Sequence, residues 1–421
     1  MKKIVFAIYI VAVLFIINST VWAVEMQFNG DYRIRGFLHD FETIADEHNT
    51  TSYNEERFRL GLDAIVSDSL KGVAKIDIGA GVWGEPKGSD ENYLSNNNNN
   101  DVRFYEAYID FDIPQTTIDL SVGTQVIEVG QGILLDAPLD SVIVTLSQEM
   151  ASASVLFAKG TNSENSLSKE DDEDYYGLIL NTSGIAENIN LGIYGFYLHD
   201  EDPSEGTIVR VGNYDDADGY YVGLSGEVSL EPLNIAFEVD YSYTKYKDTS
   251  LNFTDEGLAV YADIGLDVKK YGKIGVDAIL LTGDDSTTDN KNEAFKPIEL
   301  RPSDNDFIVY VWEEDIVVTG NIDDLGFNKT FGVEGARIYA SLPVLEGLNV
   351  KGKLGCFWRI MDEPFNNTDR IGIEVDGYTY YNIYDSLLLK GFGGYLFSDE
   401  QALGTGAEDA WRLGYRLTYL F

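Results

Sequence analysis

The sequence predicts an all-β protein, a transmembrane antiparallel β-barrel of about 18 strands with short turns at one end and long loops at the other, and three observations predict it. Long stretches alternate apolar with polar residues. In the last of them Leu413, Tyr415, Leu417, Tyr419 and Phe421 point one way, while Gly414, Arg416, Thr418 and Leu420 point the other. The composition sets 41 Gly and only 9 Pro beside 27 Tyr and 21 Phe, the make-up of strands, turns and interfacial aromatics. The connections between the stretches alternate short and long. Strands of soluble proteins average about 5–6 residues and a strand that crosses hydrocarbon needs about 9–11, which is the length found here. A large barrel is one cooperative unit, so the 421 residues form a single domain after a leader.

That leader is residues 1–23. Lys2 and Lys3 precede an apolar run from Ile4 to Ile17 and a small-residue site at Val21-Trp22-Ala23. The run is shorter than the ~20 residues of a membrane helix and has the flanks of a secretory signal peptide, leaving 24–421 as the barrel. Cleavage removes two lysines and no acid, so the mature chain is still more negative than the formal −41 of the whole, and nucleic acid is excluded as a partner. Cys356 stands alone, which excludes an intrachain disulfide framework, and it reads as a small apolar side chain.

The strands are read at residues 26–38, 55–67, 70–83, 101–113, 117–127, 140–147, 151–159, 173–181 and 187–198, then 217–229, 233–246, 256–268, 271–282, 328–341, 347–360, 370–382, 385–397 and 409–421. Tight turns at Ser67-Asp68-Ser69, Pro114-Gln115-Thr116, Glu231-Pro232, Lys270-Tyr271-Gly272 and Tyr384-Asp385 alternate with long connections such as 84–100, 160–172 and 199–216. Short turns belong to the periplasmic side of such a barrel and long loops to the extracellular side, and an even strand count puts both termini in the periplasm. The longest connection, 283–328, contains an apolar stretch from Phe307 to Val318. It is read as a loop, with a pore-folded segment or two further strands as the alternatives.

Closure follows from the solvent. Hydrocarbon offers exposed backbone groups no partner, so the last strand must pair with the first. A barrel this wide is not filled by its side chains, so it holds an aqueous channel.

Alternation then assigns the lumen, because Arg or Lys on the lipid face near the midplane costs ~2–4 kcal/mol. The basic residues that project inward are Arg33, Arg35, Arg57, Arg59, Lys75, Arg337, Lys351, Lys353, Arg359, Lys390, Arg412 and Arg416. All lie on the first three strands or the last five, which closure joins into one wall. Middle strands contribute Glu106, Asp110, Asp112, Asp119, Glu238, Asp240, Asp263, Asp267 and Asp277. The basic wall reads as a track for carboxylates, to which guanidinium forks are suited, or as charge that pairs with Asp63, Asp77, Glu374 and Asp376 within the same arc. Inward aromatics, namely Phe104, Tyr108, Tyr378, Tyr380 and Phe392, suit stacking on sugar faces or packing of a lumenal loop.

Acidic loop runs such as Lys169 to Asp174 and Asp215 to Asp218 read as solvated surface. Ca²⁺ bound by such loops is the sharper reading, though no EF-hand spacing occurs, so no metal ligands are named and no cofactor is expected. The only histidines, His39, His48 and His199, lie at strand ends or in loops without an evident local partner, which argues against a hydrolase.

Three patches carry a family resemblance: Arg103–Asp110 with Val122–Gln125 and Gly130–Leu134; Leu281–Asp285 with Asp289–Phe295; and Gly372–Asp376 through Gly393–Phe397. In their order they resemble the alginate export family of outer-membrane porins, with one departure at Thr124, where that pattern carries arginine. The resemblance implies an 18-stranded outer-membrane barrel that passes an anionic polysaccharide or oligosaccharide such as alginate through an arginine-lined constriction. The terminal strand ending in Phe421 is similar to the signal read by the barrel assembly machinery. Outer-membrane lipid and lipopolysaccharide are further expected partners. The expected function is a porin-type channel for hydrophilic solutes, with a general or cation-preferring diffusion porin as the alternative, and an adhesion barrel or hydrolase behind both.

Overall fold

The computed structural model describes residues 24–40, 51–83, 102–160, 173–183, 188–200, 216–247, 253–284, 291–300, 332–358, 360, 370–398 and 409–421. The predicted leader, the stretch 307–318, Arg359 and His48 lie outside the described residues.

The strands are β1 (Glu25–Asp40), β2 (Thr51–Ser67), β3 (Leu70–Val82), β4 (Val102–Asp112), β5 (Ile118–Glu128), β6 (Leu135–Gln148), β7 (Ala151–Lys159), β8 (Glu173–Ser183), β9 (Ile189–Asp200), β10 (Asp216–Leu230), β11 (Leu233–Lys247), β12 (Thr254–Asp267) and β13 (Lys273–Leu281). Two short pieces follow, β14 (Lys291–Asn292) and β15 (Glu299–Leu300). Then come β16 (Val333–Leu345), β17 (Leu348–Trp358), β18 (Arg370–Tyr384), β19 (Leu387–Ser398) and β20 (Ala410–Leu420). The long strands pair antiparallel in chain order, β13 pairs with β16, and β20 returns to β1, which closes an 18-stranded barrel. At the seam Gly30 and Phe421 exchange backbone hydrogen bonds of 3.0 and 3.1 Å. No edge is left for lipid to solvate.

Alternate residues face outward and carry the apolar load. Phe28, Val155, Ile193, Val222 and Ile338 are 66, 58, 57, 56 and 59 % exposed, an arrangement that only an apolar surrounding stabilises. No helix among the described residues is long and apolar enough to cross a membrane; the strands do so.

Two readings of the sequence are corrected. The sixth strand starts at Leu135 rather than 140, because Ala137 and Asp136 pair with Ile127 and Glu128 of β5 and Pro138 is accommodated in the extension. Phe104 faces outward, 65 % exposed, because the β3–β4 register jumps between Lys75↔Glu106 and Ile76↔Phe104. The extra residue of this bulge, Tyr105, is buried instead.

Of the longest connection, β14 and β15 are the described strand pairings, and neither adds to the barrel wall. β14 lies parallel to β12 at Thr254 and Asp255, and β15 lies parallel to β6 at Leu135 and Asp136. The described segment 291–300 is thus a strap across the lumen from β12 to β6.

Candidate functional site

Between its bulges, antiparallel register sets inward side chains of neighbouring strands in rows. One row runs Glu55, Arg35, Arg416, Lys390 and Tyr380, across β2, β1, β20, β19 and β18. Three cations therefore stand side by side in the lumen, with Glu55 bonded to Arg35 at one end. Toward the turn end Arg33 lies directly opposite Arg57, which Asp31 holds at 3.1 Å. Like charges placed opposite one another are destabilising unless a carboxylate intervenes, as Asp31 does beside Arg57.

Toward the loops the rows mix cations with rings. Phe37, Phe392, Tyr378 and Lys351 share one row, and Arg412, Asp376 and Lys353 share the next. The ammonium groups of Lys351, Lys353 and Lys390 sit 5.9, 5.4 and 5.5 Å from the centre of the Tyr378 ring. Arg35 and Arg412 lie 5.4 and 5.7 Å from that of Phe37. Such contacts orient the charged heads along an apolar wall.

At the flanks Arg59, Lys75 and Arg337 meet carboxylates. Arg59 donates twice to Asp77, at 2.6 and 2.9 Å, and stacks 3.6 Å over Tyr105. Lys75 binds Glu106 at 2.8 Å, and the buried Arg337 donates from Nε to Asp277 at 2.7 Å. The wall thus gathers Arg33, Arg35, Arg57, Lys351, Lys353, Lys390, Arg412 and Arg416, while Arg59, Lys75 and Arg337 lie at its margins.

The opposite arc, from β6 to β12, is filled. Tyr175, Tyr194, Phe196, Leu198, Tyr221 and Tyr246 pack inside the barrel with Leu134, Leu135, Phe295 and Ile298 of the loop and strap. The strap is pinned at both ends. Asp255 accepts from Tyr246 (2.5 Å), Asn292 (3.0 Å) and Lys296 (2.7 Å), and the Ile298 amide donates to the Leu134 carbonyl at 2.8 Å. Gly257 has no side chain because the backbone of Phe295 lies 2.3 Å from where a Cβ would be. Part of the long connection therefore enters the pore, as one of its alternatives had it.

The loop between β5 and β6 is seated on acid. Glu238 and Asp240 accept from the Tyr194 hydroxyl at 2.8 and 2.9 Å, and Glu238 also accepts from the Gln131 amide. Gly130 makes the turn at φ +63°, where a Cβ would meet the Glu238 carboxyl at 2.6 Å. The acidic residues of the middle strands thus serve as loop anchors and ion-pair partners, with Asp110 on Lys71 at 3.2 Å and Asp263 on the Tyr339 hydroxyl at 2.7 Å. Neither strap nor latch was visible in the alternation; the run Gly130–Leu134, glycine beside apolar residues in a loop, was the available signal.

His199 also departs from its reading. Register sets it opposite Asp218, whose carboxylate lies 3.0 Å from its Nδ1, with Asp216 at 3.4 Å. This group faces outward at the loop end.

The enclosure of a polar channel by an 18-stranded, lipid-facing wall with loops folded inward places the chain among solved structures. The fold is that of outer-membrane porins. Pseudomonas aeruginosa OccK9 (OpdG) is similar at a TM-score of 0.60 with 13 % identity, over 94 % of this chain and 98 % of that one. A BenF-like porin from Pseudomonas fluorescens Pf-5 gives 0.57 with 10 % identity, over 94 and 99 %. Pseudomonas aeruginosa OpdK, solved with vanillate, gives 0.55 with 9 % identity, over 94 and 98 %. No family model matches the chain, and no curated protein matches it in sequence. The resemblance therefore holds at the level of a porin-type barrel; an alginate-export family in particular is not what these likenesses support.

Proposed function

We propose that this protein is an outer-membrane channel for small hydrophilic solutes and that its basic wall selects those bearing a carboxylate. The observation that carries the reading is the row Arg35, Arg416 and Lys390, three cations set on adjacent strands by the register that closes the barrel. Guanidinium forks match carboxylate geometry, and the neighbouring Tyr378, Tyr380 and Phe392 rings suit a solute with a flat face. The strap and the packed arc confine passage to the basic side, which favours small solutes over a polymer such as alginate. The likeness to OpdK supports the same class, since vanillate is an aromatic carboxylate. The likeness to porin channels is compatible with a conduit that carries out no chemistry of its own.

Planar-bilayer recording tests this. Stable conductance steps with anion-leaning reversal potentials, blocked by vanillate or galacturonate more than by glucose, are expected. Cation preference without carboxylate block would return the protein to the general diffusion class.

A further inference from the structure

The outward face of β6 to β11 changes character abruptly at its loop end. One register row carries Val142, Phe157, Tyr176, Tyr197, Tyr220 and Tyr243 on successive strands. Neighbouring rings from Phe157 to Tyr243 lie 5.3, 6.1, 5.3 and 6.4 Å apart. This is an aromatic girdle of the kind that sits at the edge of the hydrocarbon.

The next row outward carries an acidic or basic side chain on every strand: Asp140, Lys159, Asp174, His199, Asp218 and Lys245. Asp216 and Lys247 stand opposite one another one step beyond. Carboxylates alternate with basic side chains along the row. Lys159 meets Asp174 at 2.7 Å, and Lys247 meets Asp216 and Asp218 at 2.8 and 2.9 Å, yet the ammonium-bearing side chains stay 37 and 46 % exposed. With strands about 4.8 Å apart, six of them make a belt of roughly 24 Å, far longer than any single ion site.

Surface ion pairs contribute little to stability, which leaves a row of them on the lipid side of a barrel without a folding rationale. Its position immediately above the girdle is the level of lipid headgroups. There the complementary object is a layer that also alternates in sign, phosphates joined by divalent cations. Lysines meet the phosphates, and carboxylates meet the bridging cations, for which hard oxygen ligands are suited. Resting on the outer-membrane reading above, we propose that the belt Asp140, Lys159, Asp174, His199, Asp218 and Lys245, with Asp216 and Lys247, docks phosphorylated glycolipid headgroups of the outer leaflet through shared divalent cations. The filled arc of the lumen lies behind this belt, so the same strands that do not conduct form the side that grips lipid.

The test is native mass spectrometry of the full barrel in detergent with bis-phosphorylated lipid A, in Mg²⁺ or in EDTA. Retained lipid is expected to fall roughly tenfold in EDTA, with dephosphorylated lipid A, and in the D216N/D218N variant, a loss equal to about 1.4 kcal/mol. Glu334→Gln, an outward carboxylate on β16 away from the belt, is expected to retain lipid like the parent protein. A second variant, K159Q/K247Q, leaves in place the hydrogen bond that the Tyr197 hydroxyl donates to Asp218 at 2.7 Å and carries the test if D216N/D218N fails to fold. Equal retention by the belt variants and the parent, or retention indifferent to phosphate, would overturn the proposal. Conductance and selectivity recorded on the same preparations report separately on the channel reading.

Discussion

Arg35 and Arg416 face each other across the seam between β1 and β20, so the strand pair that seals the barrel also sets two guanidiniums side by side in its lumen. Lys390 extends the pair to a third strand. Replacing both arginines by glutamine should shift the reversal potential toward cations and weaken block by vanillate or galacturonate by roughly tenfold per lost charge-assisted contact. Unchanged block in R35Q/R416Q would mean that carboxylates are bound elsewhere.

Arg337 and Asp277 form a buried pair at the margin of the wall, with side chains 2 and 7 % exposed. Arg337→Met leaves a carboxylate without its partner and should cost about 3 kcal/mol in urea unfolding of the refolded barrel. R337M/D277L removes both charges and should recover most of that loss. If the single variant is as stable as the parent, water in the lumen solvates Asp277 adequately.

The turn at Gly130 seats the β5–β6 loop on Glu238. Glu238→Ala removes the acceptor of the Gln131 amide, so the loop should leave the lumen part of the time and raise both conductance and current noise. Glu238→Gln keeps an acceptor oxygen and should behave like the parent. Conductance in E238A identical to that of the parent would show that apolar packing of Leu134 and Leu135 holds the loop unaided.

Gly30 accepts the chain end. A Cβ there would lie 2.7 Å from the Phe421 ring, which also stacks on Phe58 at 5.5 Å. Gly30→Leu and deletion of Phe421 should each lower the fraction of heat-modifiable, folded barrel on gels. Deletion should be the more severe, since it also removes the two backbone bonds of the seam. Equal yields in all three proteins would place the closure energy elsewhere along β1 and β20.

Local alternation already assigned Arg33, Arg35, Arg416 and Lys390 to the lumen and Phe28, Leu413 and Tyr415 to lipid, because the side chains of a strand have a period of two and only one face tolerates charge in hydrocarbon. Where one residue is added, as at Tyr105, the period slips, and Phe104 turned outward against its reading. Nothing in the order of residues announces a bulge on β4; the partner strand decides it.

The chain by itself determined that a wall of about 18 strands must form, that its ends must meet, and, away from the β4 bulge, which side chains are wet. Each of these follows from short-range periodicity together with the inability of lipid to pair with a backbone. Only the tertiary structure decided which wet residues become neighbours and which part of the lumen stays open. The contacts that decide it join Arg35 to Arg416, Gln131 to Glu238 and Lys296 to Asp255, partners distant in sequence whose proximity is set by strand register and loop path rather than by any local pattern.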